Sequence, residues 1–325
     1  MEGRSGSQFA AFAIANMTGA NRLLIGLGWP VVVFIFWLRT GSRQLLLEGG
    51  HAVAVVALGA ATIYSFTIPF TGEIGLYDTL ILLVIFIGYV YVVARAPTEA
   101  PELVGPARSI GSLPRRQRRV TIGAVFLFAA ATILASAEPF AGGLVESGTI
   151  LGVDEFLLVQ WLAPLASEAP EFLIAGILAF RGRGGVAMGV LLSSKVNQWT
   201  LLVGGIPVVF GLSSGSLGGL PLDDRQALEI LLTAAQSAFA VALLIGLTLS
   251  VRQAVPLFAL FALQFAIPIS AVRIVMSVVY LVLTAGIVVA KRADIPTLVR
   301  DARRVYRVAD GAAQPAEAEV SSGDS

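Results

Sequence analysis

The sequence predicts an all-α polytopic membrane protein with about nine transmembrane helices. Three observations predict it. Of 325 residues, 56% are hydrophobic and 13% are charged, whereas a soluble domain carries about twice that charge fraction. Apolar segments of about twenty residues recur along most of the chain. These runs are solid rather than alternating, which argues against a β-barrel.

In chain order the expected spans are 18–38, 51–70, 76–95, 119–138, 155–180, 186–210, 228–249, 253–269 and 272–290, after a short apolar lead-in at 8–17. The span at 253–269 is short, so it tilts little or is shielded by neighbours. Arg39 and Arg43 follow the first span. Arg95, Arg108, Arg115, Arg116, Arg118 and Arg119 crowd the connection at 95–119, Arg181 and Arg183 follow the fifth, and Arg252 follows the seventh. Lys291, Arg292, Arg300, Arg303, Arg304 and Arg307 come after the last. The alternate loops carry Glu73, then Glu146 and Asp154, then Asp223 and Asp224 with Arg225. Positive charge on every second loop places the N-terminus outside and the C-terminus in the cytoplasm, with Arg273 as a mild misfit.

The expected organisation is an N-terminal membrane half at 1–95, a basic linker at 96–118, a C-terminal membrane half at 119–291 and a cytoplasmic tail at 292–325. Residues 292–307 read as a basic amphipathic helix on the membrane surface, with Ile295, Leu298, Val299 and Val305 on its apolar side, or equally as a solvated charged tail. Residues 310–325 are low in complexity and expected to be disordered. The first sixteen residues lack the parts of a signal peptide. Lys195 and Lys291 are the only lysines, an arginine-heavy usage that suggests a GC-rich microbial genome. The expected location is therefore the plasma membrane of a prokaryote.

With no cysteine and one histidine, His51, disulfides, thiolate sites, histidine zinc centres and Ser-His-Asp chemistry are set aside. No enzyme activity, cofactor or nucleic-acid partner is expected, and no protein partner is indicated. The expected partners are the bilayer and inorganic cations.

Three stretches break the apolar pattern. In PLASEAPE, 164–171, Glu168 and Glu171 are the only charges between Phe156 and Phe180. Three residues apart, they share a helix face. Pro164 and Pro170 cannot donate to the carbonyls of Gln160 and Ala166. Freed carbonyls and carboxylates at one depth suit a hard cation, and ionisable residues inside spans mark functional sites by default. The bland alternative is a proline kink with buried acids. In SSKVNQWT, Ser193, Ser194, Asn197 and Gln198 offer oxygens, and Lys195 is placed to neutralise Glu168 or Glu171; such groups also hold helices together. In ANMTGANRLLIG, Asn16, Thr18 and Asn21 offer oxygens, Gly19 and Gly26 permit close approach, and Arg22 is a second intramembrane cation. Laid together, 15–30 and 189–204 share a kink of small residues, a polar patch and an apolar half-helix. They run in opposite directions, the pattern of inverted-topology repeats.

These stretches resemble the Na+/Ca2+ exchanger superfamily of cation antiporters, over about 8–270. Ser167-Glu168-Ala169-Pro170-Glu171 looks like the first element of its second repeat, and Ser193 to Gln198 like the second element. The resemblance implies that Glu171 binds the cation, with Ser167, Ser194 and Gln198 at oxygen-ligand positions. Residues 15–30 look like the second element of the first repeat. Lys195 stands where the family has Asn, Arg22 lies in the equivalent half-helix, and Glu168 is extra. The first repeat's Pro-Glu element has no counterpart. The resemblance therefore implies a chain that starts inside its gene, or a naturally reduced protein.

The expected function is antiport of Ca2+ or a related cation against Na+ or H+ at a midplane carboxylate site. The alternative is a non-transporting scaffold in which Arg22 and Lys195 balance Glu168 and Glu171 as structural ion pairs. A membrane enzyme built on two acids is a weak third, because no span offers a second matching element.

Overall fold

A computed structural model describes residues 5–96, 106–152, 155–215 and 218–311. Linker residues 97–105, Asp154 and the tail from 312 lie outside the described residues. The chain divides into two compact units, 1–96 with 160–325, and 97–159.

The larger unit begins with α1, Ser5–Leu23, which passes through a π-helix at Leu24–Gly28 into α2, Trp29–Thr40. Pro30 follows just after the π-helix, inside a helical segment that runs on from Ala11 to Thr40. Gly41, at φ 75°, ends α2 in the left-handed conformation. Strand β1, Gln44–Leu46, leads to α3, Ala52–Ser65, and the single turn α4, Ile68–Thr71. Strand β2, Glu73–Ile74, leads to α5, Leu76–Arg95. Asp78 is fully buried in the first turn of α5, yet satisfied: it accepts from the Gly75 N–H at 2.6 Å and from the Tyr64 hydroxyl at 2.6 Å.

The smaller unit holds α6, Pro106–Gly111, and α7, Arg115–Leu151. The span expected at 119–138 lies in α7. The loop expected after it is helical: α7 continues through Pro139. A proline inside a helix removes one hydrogen bond, and α7 runs on past it to Leu151. Next comes α8, Glu155–Ser167, whose last residues belong to the larger unit.

The larger unit resumes with α9, Ala169–Phe180, and α10, Gly184–Asn197. A second π-helix, Gln198–Leu202, joins α10 to α11, Val203–Ser214. Strand β3, Leu220–Pro221, precedes α12, Asp224–Leu243, which opens with reciprocal bonds between Asp223 and Gln226. Strand β4, Thr248–Ser250, precedes α13, Val251–Ala266. The last two helices are α14, Ser270–Ala290, and α15, Ile295–Ala309.

Among the described residues seven helical segments are long and apolar enough to cross a membrane, and an eighth is the bent pair α8–α9. The expected span at 253–269 is the shorter apolar helix α13. The two π-containing segments, Ala11–Thr40 and Gly184–Ser214, are 30 and 31 residues long. At 1.5 Å per residue each is about 45 Å, more than enough to cross a ~30 Å hydrocarbon layer.

The halves of this unit repeat. The two π-helices start at Leu24 and Gln198 and end at Gly28 and Leu202. Their separation equals the 174 positions between Asn21 and Lys195. The same step carries β1 onto β3, α3 onto α12 and α5 onto α13, within a few residues. Each two-stranded antiparallel sheet takes one strand from each half, β1 with β4 and β2 with β3. α12 is the most buried of the membrane helices.

Candidate cation site

The chain breaks at Glu168. Helices α8 and α9 meet there at 50°. Pro170 lies in the first turn of α9, where a proline is tolerated, so the new helix starts just past the break. Pro164 lies within α8, and the Glu168 N–H donates to its carbonyl at 2.8 Å. Glu168 is buried, at 8% exposure, and Glu171 is half-buried one turn along. The Ser167 hydroxyl lies 3.5 Å from Glu168 Oε1 and 3.3 Å from the Pro164 carbonyl. The Gln198 side chain, at the start of the second π-helix, lies near Glu168 and reaches Ser194 Oγ at 3.5 Å.

Buried acceptor oxygens are left over here. Glu168 Oε2, Glu171 Oε2 and Gln198 Oε1 have no hydrogen-bond partner; elsewhere, on α1, Asn16 Oδ1 has none either. Among the described residues no cation pairs with Glu168 or Glu171. Unsatisfied buried oxygens of this kind are costly unless something positive fills the space. Among the described residues no cluster of three or more acidic or histidine side chains forms.

The expected charge balance is corrected. Lys195 does not reach Glu168 or Glu171. Its ammonium is fully buried, donates to Asn21 Oδ1 at 2.7 Å and lies 4.5 Å from the centre of the Trp199 ring. The cause is position: Lys195 and Asn21 are repeat-equivalent, and the two π-containing helices cross where they meet. Asn21 therefore spends its oxygen on Lys195 and its amide on the Met17 carbonyl at 2.7 Å. Thr18 is buried and donates to the Ile14 carbonyl at 2.8 Å. Ser193 points to the Tyr89 hydroxyl, 2.9 Å away. Asn197 is half-buried.

Arg22 likewise leaves the site. It pairs with Glu229 on α12, and Arg273 on α14 reaches the same carboxylate at 2.7 Å. All three side chains are buried. Arg22 also stacks 4.8 Å from the Trp161 ring centre, its carbonyl accepts from Gln236 at 3.1 Å, and Gln264 donates to Gln236 at 2.8 Å. Sequence reasoning missed Glu229. The signal was the misfit of Arg273, a cation on a cation-poor face that needed an acid.

The two glycines expected to allow close approach do so. A Cβ on Gly19 would sit 1.7 Å from the carbonyl oxygen of Gln160, so α1 lies backbone to backbone on α8. A Cβ on Gly26 would enter the Phe261 ring.

The comparisons with known proteins follow this architecture. The family model described as "Sodium/calcium exchanger protein" matches residues 3–95 and 121–270. The crystal structure of the H+/Ca2+ exchanger CAX is 44% identical, covers 94% of this chain and 78% of its own, and superposes with a TM-score of 0.89. The sodium-calcium exchanger NCX_Mj, soaked with 2.5 mM Na+ and 10 mM Sr2+, is 18% identical with a TM-score of 0.52, covering 80% of each chain. That second likeness is one of fold. No curated protein matches. Matched over most of its membrane helices and alike across nearly its whole length to a solved relative, this multi-pass membrane chain belongs to the sodium/calcium exchanger family.

Proposed function

We propose that the chain is a secondary antiporter that exchanges Ca2+, or a related cation, against H+ or Na+ at a site built on Glu168 and Glu171. One observation carries this reading. Two carboxylates and the Gln198 carboxamide leave buried oxygens unpartnered at a helix break, with no cation paired to the acids among the described residues. Ser167 and Ser194 supply further neutral oxygens. Asn16 Oδ1 is a further unsatisfied acceptor, whereas Asn21 is committed to Lys195.

Protons are the favoured counter-ion. The relative at 44% identity is an H+/Ca2+ exchanger. Two carboxylates that release two protons and take one divalent ion keep the same site charge, so the exchange needs no compensating movement of other charges. The broken helix lets the site face either side in turn, as in other transporters built on discontinuous helices. The arginine-rich loops favour a plasma-membrane protein with its C-terminus in the cytoplasm.

The scaffold reading had rested on Arg22 and Lys195 neutralising the two glutamates. Arg22 is occupied by Glu229 and Lys195 by Asn21, which removes that support. The test is Glu171→Ala in proteoliposomes loaded with a calcium dye, with a pH or sodium gradient imposed. Gradient-driven calcium uptake is expected to vanish. Uptake at the rate of the unaltered protein would overturn the assignment.

A further inference from the structure

Between α3 and α5, on the outer surface of the larger unit, runs a groove of about 310 Å³. Its walls include Val56, Ala60, Ile85 and Gly88, and its mouth is formed by Arg303 and Tyr306 of α15. The walls are small or apolar over about two turns of each helix. Its lining comes from the first turns of α3, the last turns of α5 and α15, so it sits at one end of two helices apolar enough to cross a membrane, where the hydrocarbon layer meets the surface helix.

The mouth has a different character. α15 begins a few residues after the end of α14, so it lies at the membrane surface. Leu298 and Ala309 are buried, and Val305 packs against the core. Its far end is held by the Tyr91 hydroxyl, which donates to Asp310 at 3.3 Å, while Arg95 donates to that same hydroxyl. The opposite face carries Arg300, Arg304 and Arg307 around an open trough of about 680 Å³. Arg303 is exposed at the groove's mouth, and among the described residues no carboxylate pairs with it.

An apolar slot at the edge of the hydrocarbon layer that ends in a guanidinium matches one kind of molecule. We propose that the groove is a binding site for an anionic phospholipid of the surrounding bilayer. One acyl chain lies between α3 and α5, and the headgroup phosphate is held by Arg303 beneath the arginine face of α15. Arginine suits this task because its planar fork takes two phosphate oxygens at once. Gly88 is exposed on the groove wall, and a Cβ built there meets no atom within 4 Å, so the surface is open for an alkyl chain to lie against. This site is independent of the cation site and of the antiport reading.

The test is native mass spectrometry of the purified full chain with phosphatidylglycerol and phosphatidylcholine of identical acyl chains. Inorganic phosphate is the competitor. Phosphatidylglycerol is expected to be retained over phosphatidylcholine. Arg303→Gln, an exposed position, should cut that preference about five-fold, as removing one basic residue at an anionic surface does. Gly88→Leu should fill the slot and release both lipids. Equal retention of the two lipids by the unaltered protein would overturn the proposal. So would unchanged binding in Gly88→Leu, or inorganic phosphate displacing phosphatidylglycerol, which would mark a plain anion site.

Discussion

Glu229 is held between two arginines that come from opposite ends of the chain. Arg22 is 207 positions away in sequence, and Arg273 sits on the next long helix but one. No local pattern encodes such a triad. In the sequence Glu229 stands at the border of a span, where an acid reads as a loop residue. Its burial is legible only once α1, α12 and α14 are together. Breaking a buried ion pair strands the charge left behind, at a cost of ~3–5 kcal/mol. Glu229→Gln should therefore lower the thermal unfolding temperature in detergent markedly, whereas Glu168→Gln, with no ion pair to lose, should leave it nearly unchanged. Similar losses from both substitutions would show that Glu168 is also structurally paired. PLASEAPE was the reverse case. Two acids and two prolines in one apolar run point to a break and a polar site from the letters alone, because each residue type acts on its own helix.

At the scale of elements, the bend at Glu168 was foreseeable from proline chemistry, and the structure puts it there. The π-helices were not. They carry no composition of their own, since LIGLG and QWTLL would both pass as α-helix. The kinks expected in 15–30 and 189–204 are widened turns within helices that continue. The close seat of α1 on α8 depends on Gly19. Adding one methyl there pushes on a backbone carbonyl at 1.7 Å, which cannot rotate aside as a side chain can. Gly19→Ala should cost at least the ~1–3 kcal/mol of an overpacked core and slow transport. Gly123→Ala, where a Cβ meets nothing within 4 Å, should be neutral or slightly stabilising through helix propensity. Thermal unfolding of the two variants side by side measures the difference.

Much of the larger unit, from α1 to α5 and from α10 to α13, is two copies of one plan, and the inverted arrangement was visible in the sequence as two weakly similar polar stretches in opposite orientation. What the sequence could not show is that the copies are stitched at both ends by small sheets, each taking a strand from either half. Gln44 lies opposite Ser250. The chain has no cysteine, so Gln44→Cys with Ser250→Cys introduces a single pair of thiols. Oxidation should link them within one chain, seen as a mobility shift on a denaturing gel that reductant reverses. Oxidation giving only linked dimers would contradict the pairing of β1 with β4.

The paired π-helices also set a phase. Each holds one residue more than an α-helix of the same rise, and each residue turns a helix by about 100°. That extra turn decides which way α2 and α11 face relative to Asn21 and Lys195. A substitution at half-exposed Leu201 leaves the phase alone. Deleting the same residue rotates the whole of α11, swinging Gly204 away from Thr79 and Leu82, which a Cβ built on it would reach at 3.6 and 3.2 Å. The length of this short segment is thus more constrained than its composition, like a shim whose thickness matters more than its material.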